Sequence, residues 1–220
     1  MSDETLRFSK RVLEPNERIS EVLFGLIMVL TFTGSLSVAE AGRDDVRTML
    51  IGALGCNLAW GIIDGVFYLM GCLSEQGRSL RSWRALKKAA APEEAHRVIA
   101  GALPPLVAAT LGPAEYESMR QKLVQLPEPP SRPRLRKDEW LGALAVFLWV
   151  FLTTFPVAIP FILMHNLGRA MRVSNAIAIV LLFLAGFAFG RIVEYRPWLT
   201  GLAMVVLGGV LVGVTMALGG

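Results

Sequence analysis

Five apolar runs constrain this chain more than any other feature: residues 20–39, 49–72, 141–164, 173–190 and 199–218. The hydrocarbon core of a bilayer takes about 20 apolar residues per helix. Inside it each backbone polar group must find its partner within the protein, so runs of this length read as spanning helices. Composition agrees, with 54% of the 220 residues hydrophobic and only 18% charged; the mean hydropathy of +0.52 exceeds what a soluble domain of this size carries. The expected fold class is an all-α integral membrane protein of five transmembrane helices, with a cytoplasmic helical segment between helices 2 and 3. The first 18 residues are charged and hold no apolar core, so no cleavable signal peptide is expected and the first span stays inserted.

The chain divides on this basis into three parts. Residues 1–72 hold the N-terminal tail and helices 1 and 2, residues 73–138 an amphipathic segment, and residues 139–220 helices 3 to 5. Orientation follows from the 22 Lys and Arg residues. Eighteen fall before the first span, between Arg78 and Lys137, or at Arg191 and Arg196; the alternate loops hold only Arg43, Arg47, Arg169 and Arg172. The positive-inside rule then places the N-terminus in the cytoplasm and the C-terminus outside. The net charge of +4 is accounted for by topology and some attraction to anionic lipid, and calls for no nucleic acid.

In the 73–138 segment, Pro92 with Glu93 and Glu94, and Pro113 with Glu115, mark helix starts. Three short amphipathic helices are expected, and "PEPPSRPR" is a helix-excluding tether into the third span. So small a segment is marginal alone and is expected to pack on a second copy of the chain or on the membrane face. Glu93 with His96, and Glu115 with Met119, have the spacing of a shared helix face; first-turn glutamates that complement the helix dipole are the stronger reading. Cys56 and Cys72 lie sixteen residues apart in one span, roughly 24 Å along a helix, too far to pair.

The spans carry the chemistry. "NLAWGIIDGVFY" places Asp64 inside the second apolar run with Asn57 and Gly61 on nearly the same face. In the first span Glu21, Gly25, Met28 and Ser35 share a face, with Thr31 at its edge. Counting inward from residues 20 and 72 at 1.5 Å per residue sets Asp64 level with Met28, and Asn57 level with Ser35. If these faces meet, they line a polar path from Glu21 past Met28 and Asp64 toward Asn57 and Ser35. A carboxylate, an amide carbonyl, hydroxyls and a thioether suit a first-row divalent ion such as Fe(II) or Mn(II); an intramembrane carboxyl also exchanges protons. The other reading of Asp64 and Asn57 is a neutral hydrogen-bonded packing device between helices.

The third run contains "TTFPVAIPFIL". Pro156 and Pro160 each remove a donor, so a kink is expected that frees the carbonyls of Leu152 and Pro156. Thr153 and Thr154 can satisfy the freed groups, or the carbonyls can face an ion, which makes Pro156 and Gly61 further candidates for lining the path. Gly61–Gly65, Gly186–Gly190 and Gly209–Gly213 each have the G-x-x-x-G spacing of close helix packing, and together they suggest a homodimer.

Five spans, the charged segment after the second, "FLTTFPVAIPFIL" and the glycine-rich close "GLAMVVLGGVLVGVTMALGG" resemble the vacuolar iron transporter family. The resemblance implies a homodimeric carrier that moves iron or manganese out of the cytosol, in exchange for protons, along a path lined by the first spans; a bacterial inner membrane is the expected location. The family's first span carries G-x-x-Asp-Gly, where this chain reads Gly25, Leu26, Ile27, Met28, Val29. Its second span carries Ser-Met followed by Gly-Glu-Tyr, where this chain offers Asn57, Leu58, Gly61 and Ile62 with the acid at Asp64. Two function classes follow: a divalent metal-ion transporter, or a non-transporting membrane scaffold of the same fold that binds a partner through residues 73–138. An enzyme is disfavoured and no catalytic residue or resident cofactor is expected, since the chain has no nucleophile elbow, P-loop or Gly-rich dinucleotide turn and only His96 and His165.

Overall fold

The computed structural model describes residues 15–34 and 43–217, and all regular structure among them is helical. α1 spans Pro15–Gly34 and starts on a proline, which suits a first turn whose N–H groups need no helical partner. α2 runs unbroken over Arg43–Lys88, with Asp44 in its first turn and Lys87 and Lys88 in its last, each opposing the local end of the helix dipole. The sequence suggests a span ending near residue 72 and a separate short helix after it. The structure joins them, because "LSEQGRS" contains no proline and the single Gly77 costs only about 1 kcal/mol of helix propensity.

α3 (Pro92–Ala102), α4 (Pro105–Thr110) and α5 (Pro113–Gln125) each open on proline after an extended or polyproline-like residue: Ala91 at φ −117°, Pro104 at φ −55°, ψ 138°, and Gly112 at ψ 174°. α4 is an addition to the helices expected in this segment. The third apolar run forms two helices, α6 (Lys137–Leu152) and α7 (Thr154–Leu163), separated at Thr153. α8 is Leu167–Ile192, capped by the Asn166 side chain, which accepts from the Arg169 N–H at 3.0 Å. It closes through Glu194, at φ 53°, with the Tyr195 N–H donating to Gly190 O at 2.9 Å. α9 covers Pro197–Ala217.

The described residues form two compact units. One, Leu69–Glu139, builds a small core of Leu86, Ala95 and Ile99 against Tyr116, Met119 and Leu123. This segment therefore buries some apolar surface on its own.

The other unit comprises Arg11–Tyr68 and Trp140–Gly220. α8 packs against α1, α7 and α9, and the largest core cluster draws Leu26, Val29 and Leu30 from α1, Ala53 from α2, Val157 from α7, and Ala178 and Leu182 from α8. Two of the glycine pairs sit at close helix crossings. A Cβ on Gly186 would come within 2.6 Å of the Thr200 carbonyl and one on Gly190 within 2.7 Å of Pro197 Cα, so α8 and α9 touch backbone to backbone. Gly61 and Gly65 bring α2 against Phe147 and Ala143 of α6. A Cβ on Gly209 or Gly213 would meet nothing within 4 Å among the described residues.

Four helical stretches are long and apolar enough to cross a membrane: Val46–Lys88, Lys137–Leu163, Leu167–Ile192 and Pro197–Val214. The apolar stretch of α1 within the described residues is shorter, Ile19–Leu30.

Candidate functional site

Three chain segments converge on the amide of Asn57. On α2, Asn57 is fully buried, and its Nδ2 donates both to the Gly25 carbonyl of α1 at 3.3 Å and to Thr154 Oγ1, at the start of α7. The close approach of α1 is what Gly25 permits. A Cβ there would collide with Thr153 Oγ1 and lie 2.7 Å from the Val150 carbonyl. The break at Thr153 supplies the other partner. Pro156 falls in the first turn of α7, where its missing N–H leaves no gap in the helix, and it stops α6 at Leu152, four residues back. Thr153 Oγ1 donates to Val150 O at 2.7 Å, and Ser174 Oγ of α8 donates to Val157 O at 2.7 Å, so hydroxyls bind carbonyls on either side of the kink.

Both amide protons of Asn57 are thus engaged, and its orientation is fixed chemically, since the Gly25 carbonyl only accepts. What remains is Asn57 Oδ1, a buried acceptor with no hydrogen-bond partner among the described residues. Two turns further along α2, half-buried Asp64 presents a second: its Oδ2 is buried and unpartnered, while its side chain is hydrogen-bonded to Glu21 of α1. The described residues therefore present two neighbouring carboxyls, Glu21 and Asp64, and two buried oxygens without a hydrogen-bond partner among them, Asp64 Oδ2 and Asn57 Oδ1. A buried acceptor left so costs about 1–3 kcal/mol.

The structure puts Asp64 beside Glu21 and Asn57, two turns away on α2, beside Gly25, with a register that differs from the sequence expectation. Asp64 lies beside Glu21 rather than level with Met28, and Asn57 beside Gly25 rather than level with Ser35. The depth count takes residue 72 as the end of the second span, whereas α2 continues to Lys88 and offers no such mark. Met28 is half-buried, three residues beyond Gly25 on the same helix. Gly61 faces α6, with a Cβ placed 2.9 Å from the Phe147 ring, and so acts in packing. Pro156 is half-buried at the kink. Ser35 and the side chain of Thr31 lie outside the described residues. Thr154 and the Gly25 carbonyl are the participants hardest to anticipate; the visible signal is a hydroxyl pair directly before a helix-breaking proline.

Elsewhere, among the described residues, no three His, Cys, Asp or Glu side chains gather as a metal cluster. Glu93 is exposed and does not pair with His96, whose Nε2 instead sits 3.3 Å from Glu117 Oε2 with its ring stacked on Tyr116. Glu115 accepts from the Gly112 N–H at 2.9 Å and caps α5, while Met119 joins the small core. Hydrogen bonds from Arg120, then from Gln121, hold the Glu117 carboxyl down at about 2. Two clefts, of about 420 and 540 Å³, are lined by none of Glu21, Asn57 and Asp64.

Helices of spanning length with buried polar oxygens between them define a helical integral membrane protein. Residues 107–220 match the VIT family, just over half of the 220-residue chain, and the chain belongs to that family. Membership places it in the class of membrane metal-ion transporters. No curated protein matches the chain. The matched region contains α5 to α9, including Thr154, and leaves α1 and α2 outside it; those helices carry Glu21, Asn57 and Asp64, where the motifs also depart from the family pattern.

Proposed function

We propose that this protein moves a divalent metal ion, Fe(II) or Mn(II), out of the cytosol in exchange for protons, with Glu21, Asp64 and Asn57 as its ion site. The observation that carries the reading is the pair of buried oxygens without a hydrogen-bond partner among the described residues, Asp64 Oδ2 and Asn57 Oδ1, with the Glu21 and Asp64 carboxyls side by side. A dication at Glu21 and Asp64 gains two carboxylate ligands and displaces the proton that either holds, and Asn57, two turns further along α2, offers an amide oxygen at the next step of the path. Met28 extends the donor set with a thioether further along α1, a softer ligand that favours Fe(II) or Mn(II) over alkali ions. The outward direction follows from the resemblance to the vacuolar iron transporter family, and the distribution of Lys and Arg supports a cytoplasmic N-terminus and a cytoplasmic 73–138 segment in a bacterial inner membrane.

The working form in this reading is a homodimer in lipid. Its support is the apolar outer face of α9, where Gly209 and Gly213 meet no neighbour within the described chain. Uptake of Fe(II) or Mn(II) into proteoliposomes, followed together with an internal pH dye, tests the proposal. Metal-dependent proton flux is expected. Protein-containing vesicles that match empty ones would instead favour a scaffold of the same fold that binds a protein partner through residues 73–138.

A further inference from the structure

The break in the third span has a role beyond bending the helix. Asn57 is fully buried, and an amide serving only as glue between helices would engage its carbonyl as well as its NH2 group. Here the NH2 group alone is used, held from two sides by the Gly25 carbonyl and Thr154 Oγ1, while Oδ1 has no partner among the described residues. Thr154 is itself fully buried, and it stands at the start of α7 because Pro156 ends α6 two residues before it. Without the break, a continuous α6–α7 helix would bind its own backbone through this turn and carry Thr154 with it.

We infer that Thr154 is a positioning residue for the ion path, the hydroxyl that turns the Asn57 carbonyl oxygen toward a passing divalent cation. This rests on the proposed function and deepens it: the kinked third span supplies no ligand of its own at this point but fixes one on α2. An amide whose NH2 group is held by two hydrogen bonds presents its carbonyl oxygen as a preorganised neutral ligand, so the cation does not bear the entropy of orienting it. A loosely held amide would rotate and present its NH2 group, which repels a cation. Outer partners of metal ligands act in this way, and their loss weakens metal binding about 10-fold to 100-fold.

The test uses the full chain in detergent, with binding of Mn(II) read from the electron paramagnetic resonance signal of the free ion, and Mn(II) uptake kinetics in proteoliposomes. Thr154→Val keeps the shape and removes the acceptor; Thr154→Ser restores the hydroxyl; Thr154→Ala covers the case in which valine does not fold; Asp64→Asn reports on the site itself. The expected result is weaker Mn(II) binding and a KM raised about tenfold in Thr154→Val or Thr154→Ala, with maximal rate and thermal midpoint close to wild type and recovery in Thr154→Ser. A purely structural threonine would lower the midpoint and leave KM unchanged. If Asp64→Asn loses binding while Thr154→Val and Thr154→Ala bind as wild type does, the positioning role is overturned and the ion site stands. Wild-type protein that neither binds nor transports Mn(II) or Fe(II) overturns both.

Discussion

Asp64 and Glu21 are two acids where a bilayer tolerates few, and they lie side by side on α2 and α1. Asp64→Asn retains the volume and a donor toward Glu21, so it is expected to fold and insert normally yet lose at least tenfold in metal uptake together with the pH dependence of uptake. Equal uptake by the variant and wild type at several pH values would remove Asp64 from the mechanism. Gly25→Ala acts differently. Its Cβ would meet Thr153 Oγ1, which can rotate, and the Val150 carbonyl, which cannot. Separation of α1 from the α6 terminus is expected to cost about 1–3 kcal/mol, seen as a lower thermal midpoint in detergent. At this scale the sequence exposed Asp64, Asn57 and Glu21, since polar residues in apolar runs stand out. It could not show that Asn57 meets Gly25, because the axial register of two helices depends on how their side chains interlock and not on either helix alone.

At the scale of elements, two of the three glycine pairs have a determinate role. Gly190→Val is expected to force α8 off Pro197 and Thr200 of α9 and to lower the thermal midpoint, whereas Gly209→Ala, which meets nothing within the described chain, is expected to leave it unchanged. Identical spacing offers no way to rank them, since a small residue matters only where another backbone reaches it. In the Leu69–Glu139 unit, Arg120 and Gln121 lower the Glu117 carboxyl from the usual 4.5 to about 2. A carboxyl depressed by folding stabilises the fold fully above its unfolded value and ceases to do so as pH falls through its folded value. Acidification from about pH 4.5 to about 2 should therefore loosen α5, read as faster hydrogen exchange in residues 113–125 of the full chain, and Glu117→Gln should abolish that pH dependence. The helix starts at Pro92 and Pro113 were legible in the sequence; the short helix at Pro105 and the fusion of the second span with the helix after it were not, because only a strong breaker forces a helix to end.

For the whole molecule, light scattering of the detergent-solubilised full chain is expected to give twice the 24.0 kDa chain mass after subtraction of bound detergent; a well-behaved monomer would count against the proposed homodimer. The sequence by itself determined that this is a helical membrane protein, because hydrocarbon leaves a long apolar chain few ways to pair its backbone. It also determined the helix starts at Pro92 and Pro113, and that the third span must kink at its prolines. The tertiary structure decided which polar residues meet. Asp64 with Glu21, and Asn57 with Gly25 and Thr154, are contacts between segments up to 97 residues apart in sequence, fixed by the register of packed helices and the direction of a kink. Periodicity reports which face of a helix is polar, but only packing sets what that face is pressed against.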